Sequence, residues 1–103
     1  MTMIPSPATE DPLESLRSAS DLLRALASPV RVGIVRELAE GGKCVHELVD
    51  ALGISQPLVS QHLRVLRTSR IVTVRRRARE AEYSLVDDHV AHIVLDAIRH
   101  ARE

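Results

Sequence analysis

Two short helical patterns joined by a glycine turn constrain this chain more than any other feature. We predict that Cys44 is the N-cap of the first helix, with Glu47 as its capping-box partner. A tight turn follows at Gly53, and Ser55 caps a second helix that runs to about Thr68. Apolar residues recur at helical spacing on the inner faces: Val45, Leu48, Val49, Leu52, Val59, Leu63 and Leu66. This arrangement predicts a helix-turn-helix.

Two further helices are predicted before this motif. Residues 1–10 show no periodicity, and we expect a flexible tail there, so that one domain covers residues 11–103. Residues 11–14 form a capping-box pattern that starts the first helix. Ser28 caps the second helix, which ends at the glycine pair at 41–42.

A β-hairpin and a last helix are predicted after the motif. Residues 71–74 and 82–85 have strand character, and we predict the charged run at 75–81 to be the hairpin tip. A last helix begins near position 87 or 88 and is expected to bury Val90, Ile93, Val94, Ala97 and Ala101. The predicted fold is mainly α with a β-hairpin wing, in the order α-α-α-α-β-β-α, which is a winged helix-turn-helix with an added terminal helix.

Cysteine content and hydropathy indicate where such a chain works. Cys44 is the only cysteine, which excludes a disulfide within the chain and fits a reducing cytosol. The chain has no segment that resembles a signal peptide or approaches membrane-spanning length. We therefore expect a soluble cytoplasmic protein without a membrane partner.

The fourth helix and the hairpin carry polar and basic side chains that suit duplex DNA. Seven arginines and one acid lie between positions 55 and 80, although the formal net charge of the chain is zero. Short hydroxyl and amide side chains let a helix approach base edges, and arginines neutralise phosphates. The predicted DNA contacts are Ser55, Gln56, Pro57, Ser60, Gln61, Arg64, Arg75, Arg76, Arg77 and Arg79. The alternative for the fourth helix is an ordinary solvated polar face that binds no DNA. His62 either contacts phosphate or packs against the second helix.

Four residues in and around the last helix, of types that bind metals, have a distinctive spacing. They are Asp87, His89, His100 and Glu103. The two histidines share one stripe, because eleven residues make three turns plus about 20°. Those eleven residues also rise about 16.5 Å, whereas zinc holds its ligands at about 2.0–2.2 Å. One chain therefore cannot close this site.

Two antiparallel copies of the last helix would close it. If the copies cross near Val94 and Leu95, the two donors at the start of one helix meet the two donors at the end of the other. Two-fold symmetry then gives two four-ligand sites suited to zinc or cobalt, and the apolar stripe becomes the homodimer interface. His92 and Asp96 on this edge could form a local two-ligand site or outer-shell partners. The alternative is a polar edge beside a core stripe.

These residues resemble the ArsR/SmtB family of metal-responsive repressors. The matching stretches are residues 23–31, residues 55–66 and the end of the wing at 82–85. The spacing of the four donors resembles the family's site on the C-terminal helices, which in zinc sensors takes two ligands from each protomer. The resemblance implies a dimer that binds an inverted-repeat operator and is released by zinc, or by cobalt or nickel.

The family's other common site has cysteines at the start of the third helix. Here that position reads Cys44-Val45-His46, and residues 1–10 contain no cysteine or histidine. We therefore expect Cys44 to be a small helix cap whose thiol pKa is lowered by the helix N-terminus, with Cys44 and His46 as a weak second metal site.

The residues also bear on three other classes of function. A regulator with the same fold could respond to a non-metal effector, and a winged helix with a structural metal could bind proteins instead of DNA. An enzyme is not expected, because the chain has no nucleophile–base pair or glycine-rich phosphate loop. A zinc protease is excluded, because His46-Glu47 leads to Asp50 instead of a second histidine.

Overall fold

The computed structural model describes residues 11–103, so the predicted tail at 1–10 lies outside the described residues. Five helices and three strands follow one another along the chain. They are α1 Pro12–Leu26, α2 Pro29–Leu38, β1 Lys43–Cys44, α3 Val45–Leu52, α4 Gln56–Thr68, β2 Val72–Arg77, β3 Glu80–Leu85 and α5 His89–Ala101. The winged helix-turn-helix predicted from the sequence is confirmed, with one added strand. Within the described part of the chain, no helix is long and apolar enough to cross a membrane.

Side-chain caps fix where three of the helices begin. Asp11 accepts a hydrogen bond from the Leu13 amide at 3.0 Å, and Ser28 and Ser55 do the same for α2 and α4. A proline in the first turn of each helix costs no hydrogen bond there. A capping box was predicted at Asp11, and its second hydrogen bond would join the Glu14 side chain to the Asp11 amide. This part of the prediction is wrong, since the Glu14 carboxylate lies 3.9 Å from Arg17 instead.

The core is aliphatic and centres on α2. The fully buried side chains come from α2, α3, α4 and the N-cap of α3: Ile34, Val35, Leu48, Val59, Leu63, Leu66 and Cys44. Helix α2 packs against α3, α4 and α5. The buried inner face predicted for the helix-turn-helix is confirmed at Leu48, Val59, Leu63 and Leu66, whereas Val45, Val49 and Leu52 are only partly buried.

The apolar face of α5 is divided differently from the prediction. Ala91 and Val94 are buried, and Val90 and Ile98 pack partly buried against the core. The predicted burial of Ile93, Ala97 and Ala101 is wrong within one chain, because this flank of α5 faces away from the core and is exposed. An apolar flank of α5 therefore remains uncovered.

The wing, defined as strands β2 and β3, is longer than predicted. The strands pair from Val72 opposite Leu85 to Arg77 opposite Glu80, so only Ala78 and Arg79 form the turn. The prediction that residues 75–81 form the tip is wrong, because oppositely charged cross-strand neighbours continue the ladder. Strand β1 was missed, since its two residues are too few to show periodicity, and it pairs with β3 at the sheet edge.

Candidate nucleic-acid interface and metal ligands

Helix α4 presents a continuous polar face to solvent. The six predicted DNA contacts on or next to this helix are all exposed: Ser55, Gln56, Pro57, Ser60, Gln61 and Arg64. The apolar residues Val59, Leu63 and Leu66 point the other way, into the core. Buried leucines thus anchor the helix while its short polar side chains stay free to approach base edges.

A basic groove separates α4 from the wing. This groove, of about 280 Å³, is lined by Ser60, Leu63, Arg64, Arg67 and Tyr83. Among residues 11–103, neither Arg64 nor Arg67 forms an ion pair with a carboxylate. Arg67 was not among the predicted contacts, although it follows Ser60 and Arg64 on the polar face at helical spacing. The groove is suited to the phosphate backbone of DNA beside α4, which we call the reading helix.

The four predicted wing arginines fall into two groups. Arg75 and Arg77 both bind the carboxylate of Glu82, at 2.9 and 2.8 Å. Arg76 and Arg79 have no acidic partner in the described part of the chain, and Arg76 donates to the Arg79 carbonyl at 3.4 Å. The role of Glu82 was not predicted, because the alternation of polar and apolar residues along β3 does not show that this acid is buried.

His62 packs against the second helix, which decides between the two roles left open for it. Its Nδ1 lies 3.1 Å from Arg31 Nη1 on α2. A guanidinium only donates hydrogen bonds, so Nδ1 accepts and the proton of the neutral ring sits on Nε2. Arg31 also donates to the carbonyl of Ala25 at the end of α1. One arginine thus joins α1, α2 and α4.

This contact makes the stability of the fold sensitive to pH. Burial, together with the charge of Arg31, lowers the pKa of His62 below its ordinary value of 6.5. Below about pH 6.5 the unfolded chain binds more protons at this position than the folded chain, so stability falls as the pH falls. The free energy of unfolding is measured by urea titration at several pH values, and its slope against pH reports the difference in bound protons between the two states. We expect His62→Gln to reduce this slope by the equivalent of a fraction of one proton. His92→Gln, which changes an exposed histidine, should retain it, and equal slopes in wild type and His62→Gln would contradict the assignment.

The predicted metal donors lie on the exposed flank of α5. Asp87 precedes the helix, where its Oδ1 accepts a hydrogen bond from the His89 amide at 2.9 Å and lies 3.6 Å from His89 Nδ1. The His89 side chain is 86% exposed, and His100 is also exposed. Glu103 follows the end of the helix. Of the two suggested outer-shell residues, Asp96 lies 3.7 Å from Arg99, and His92 is exposed.

Within residues 11–103 of one chain, no three histidine, cysteine, aspartate or glutamate side chains come together as a metal site. Asp87 and His89 form a pair at one end of α5, while His100 and Glu103 stand at the other. The four predicted donors therefore lie as two separate pairs, one at each end of α5.

Cys44 and His46 have separate partners. Cys44 is 1% exposed, and its Sγ accepts a hydrogen bond from Arg77 Nη2 at 3.2 Å. Burial raises the pKa of the Cys44 thiol, so the predicted lowering is wrong, because desolvation outweighs the charge of Arg77. His46 Nδ1 lies 2.8 Å from the Glu80 carboxylate. As the N-cap of α3, with Glu47 accepting from its backbone amide at 2.7 Å, Cys44 has the predicted structural role.

Comparison with known proteins agrees with this architecture. The family described as "Bacterial regulatory protein, arsR family" matches residues 28–74, which include α2, the helix-turn-helix and the start of the wing. The HTH-type transcriptional repressor SmtB of Mycobacterium tuberculosis is 59% identical over 92 residues, covering 89% of this chain and 68% of that protein. The chain belongs to the ArsR/SmtB family. It is thus a transcriptional repressor with a helix-turn-helix for binding DNA, and not an enzyme.

Two other regulators match a similar share of the chain. The HTH-type transcriptional regulator NmtR of Mycobacterium tuberculosis is 41% identical over 92 residues, covering 87% of this chain and 77% of that protein. The crystal structure of the transcriptional repressor BigR from Xylella fastidiosa superimposes with a TM-score of 0.76 and 39% identity, covering 85% of this chain and 90% of that one. The winged helix-turn-helix is thus shared with a solved repressor.

Proposed function

We propose that this ArsR/SmtB repressor works in the cytoplasm as a homodimer that binds an inverted-repeat operator and leaves it when zinc, cobalt or nickel binds between two copies of α5. One observation carries the proposal. Four donors stand in two pairs at opposite ends of the exposed flank of α5, too far apart to meet in one chain.

The chemistry of these donors fits a divalent transition metal. Asp87 and His89 already lie side by side, at 3.6 Å. Imidazole nitrogens and carboxylate oxygens are ligands that zinc and cobalt accept in a four-coordinate site. An antiparallel partner would bring His100 and Glu103 to this pair, and symmetry would repeat the site at the other end. The metal would then fix one relative arrangement of the two chains.

Uncovered apolar surface supports a dimer. On α1, Leu13, Leu16 and Leu23 are more than half exposed, and on α5 Ile93 is exposed beside the metal donors. Large apolar side chains on two helices are costly to leave in water and mark an interaction surface. A second copy that covers both helices would bury this surface.

The fold links the metal donors to the reading helix through α2. Helix α2 packs against both α5 and α4, and Arg31 on α2 contacts His62 on α4. Two reading helices need about 34–36 Å between half-sites to enter successive major grooves. If metal stabilises a different spacing, metal binding weakens operator binding and operator binding weakens metal binding by the same factor. The coupling free energy is then about 1–3 kcal/mol.

Cobalt titration of the protein–operator complex tests this proposal. The operator is a duplex selected from a random library for binding to the metal-free protein. We expect the d–d absorption of four-coordinate cobalt to saturate at one ion per chain, with operator release over the same range of added metal. Release without this absorption, or the absorption without release, would contradict the proposal. Both signals should weaken as the pH is lowered, since protons compete with the metal for the histidine nitrogens.

A further inference from the structure

An ionic cluster built around the buried Glu82 joins the wing to the first helix of the helix-turn-helix. We call Arg77, Glu82, Glu47 and Cys44 the wing clamp. Glu82 is only 6% exposed, and on strand β3 it pairs with Cys44 of β1 on one side and with Arg75 of β2 on the other. A buried carboxylate is costly unless it is paired, so its partners are strongly constrained.

Arg77 is the centre of the wing clamp. Its Nη1 donates to Glu82 Oε2 at 2.8 Å, and its Nη2 lies 3.2 Å from Cys44 Sγ and 3.3 Å from Glu47 Oε1. A planar guanidinium can reach these groups at once, which the single ammonium of a lysine cannot reproduce. One side chain thus ties both strands of the wing to the N-terminus of α3.

The space around the Glu82 carboxylate is closed. Gly42 lies directly against it, and a Cβ at this position would come within 2.8 Å of Glu82 Cδ. The hydrogen bond from the Cys44 amide lowers the pKa of Glu47, and Arg77 adds to this effect. Glu82 is thus enclosed by Gly42 and Glu47 is held by the Cys44 amide, so the wing clamp has little freedom to rearrange.

Strand alternation gives the wing arginines different surroundings. Arg75 and Arg77 lie on the face of β2 that carries Glu82, while Arg76 lies on the opposite face. That opposite face also carries Tyr83, which lines the groove beside α4. Arg75 uses only Nε for Glu82, and its side chain remains 76% exposed. The Arg77 side chain is less exposed, at 46%, and both of its Nη atoms have partners within the chain.

We propose that Arg77 is a positioning residue that sets the angle of the wing relative to α3 and α4, while Arg76 and Arg79 at the outer end of the wing contact phosphate. The inference concerns DNA binding alone and does not depend on the metal-sensing proposal. It changes the role predicted for Arg77 from a direct DNA contact to an indirect one.

Glu82→Gln separates the two roles by the sign of its effect. If only net charge mattered, removal of an acid from a DNA-binding surface would strengthen binding. The wing clamp predicts the reverse, about a tenfold weaker affinity, because Arg77 loses its buried partner and the wing is released. Glu80→Gln is the matched control, since it removes the same charge from the exposed end of the same strand. We expect equal or tighter binding for this control, measured on one duplex selected with the wild-type protein.

The salt dependence of binding provides the second measurement. Arg76→Ala should reduce the slope of log K against log salt by about 0.9, as expected for one lost phosphate contact. Arg77→Ala and Arg77→Lys should both weaken binding about tenfold with an unchanged slope, and hydrogen exchange in free Glu82→Gln should quicken in residues 72–85 but not in α5. A slope reduced by Arg77→Ala as much as by Arg76→Ala, or a Glu82→Gln variant that binds as tightly as Glu80→Gln, would overturn the proposal.

Discussion

Replacement of His100 by alanine is expected to abolish the release of operator by metal while leaving metal-free operator binding unchanged. In the wild-type protein, metal should lower operator affinity by about 5–150-fold, which corresponds to a coupling of about 1–3 kcal/mol. His100 lies exposed near the end of α5, outside the helix-turn-helix, so its loss should not affect the polar face of α4. Without it, each proposed site loses one of its two imidazole ligands and the metal no longer fixes the dimer.

The control is His46→Ala, which removes an exposed histidine from α3 and tests the weak site proposed with Cys44. Operator affinity of each variant is measured with and without zinc, and His46→Ala should respond as the wild type does. Metal release that survives in His100→Ala but fails in His46→Ala would move the sensing site to α3.

A mixture of two inactive variants tests whether the site is shared between chains. In a dimer of one His89→Ala chain and one His100→Ala chain, one site lacks both histidines and the other retains both. We expect the mixed dimer to bind one cobalt ion, although neither variant alone forms a complete site. A mixture that binds no better than its components would exclude ligands from both chains.

Ile93→Asp should dissociate the dimer and thereby weaken operator binding by about 10²–10⁴-fold, because two half-sites then bind independently. Ile93 lies on the uncovered flank between the two pairs of metal donors and is 38% exposed in the single chain. A carboxylate buried there in each chain would place two like charges in an apolar interface. The fold of each chain should persist, since the site is exposed before pairing.

Leu95→Asp is the matched control for this prediction. Leu95 is equally exposed, at 36%, and lies at the level along α5 where the two copies are expected to cross. Its side chain points about 200° away from Ile93, beside Arg36 and Arg99, and so lies outside the flank that is proposed to pair. Sedimentation should show a monomer for Ile93→Asp and a dimer for Leu95→Asp. The reverse result would mean that the chains pair along the flank opposite the histidines, which would leave the proposed metal sites open.

The helices were predictable because their signals are local. Ser28, Ser55 and Cys44 cap the helices that follow them, and apolar residues repeat at helical spacing along α3 and α4. The exposed polar face of α4 follows from the same period, so the side chains of α4 that face solvent could be predicted residue by residue. The strands were harder, because β1 has two residues and the wing is extended by pairs such as Arg75 with Glu82, which are seven positions apart.

The errors at the candidate sites share one physical cause, which is contact between distant segments. The pKa of Cys44 depends on its burial beside β3 and on Arg77, which lies 33 positions further along the chain. The role of His62 depends on Arg31, another 31 positions away. The proposed metal sites would likewise need contact with a second chain, so sequence spacing predicts which residues share a flank of α5 but not what that flank meets.

The position of Tyr83 also makes the protein its own optical probe. The chain has no tryptophan or phenylalanine and a single tyrosine, so its intrinsic fluorescence comes from one ring. That ring lines the groove between α4 and the wing. Quenching or recovery of its emission therefore reports this groove alone, without a label and without background from the rest of the molecule.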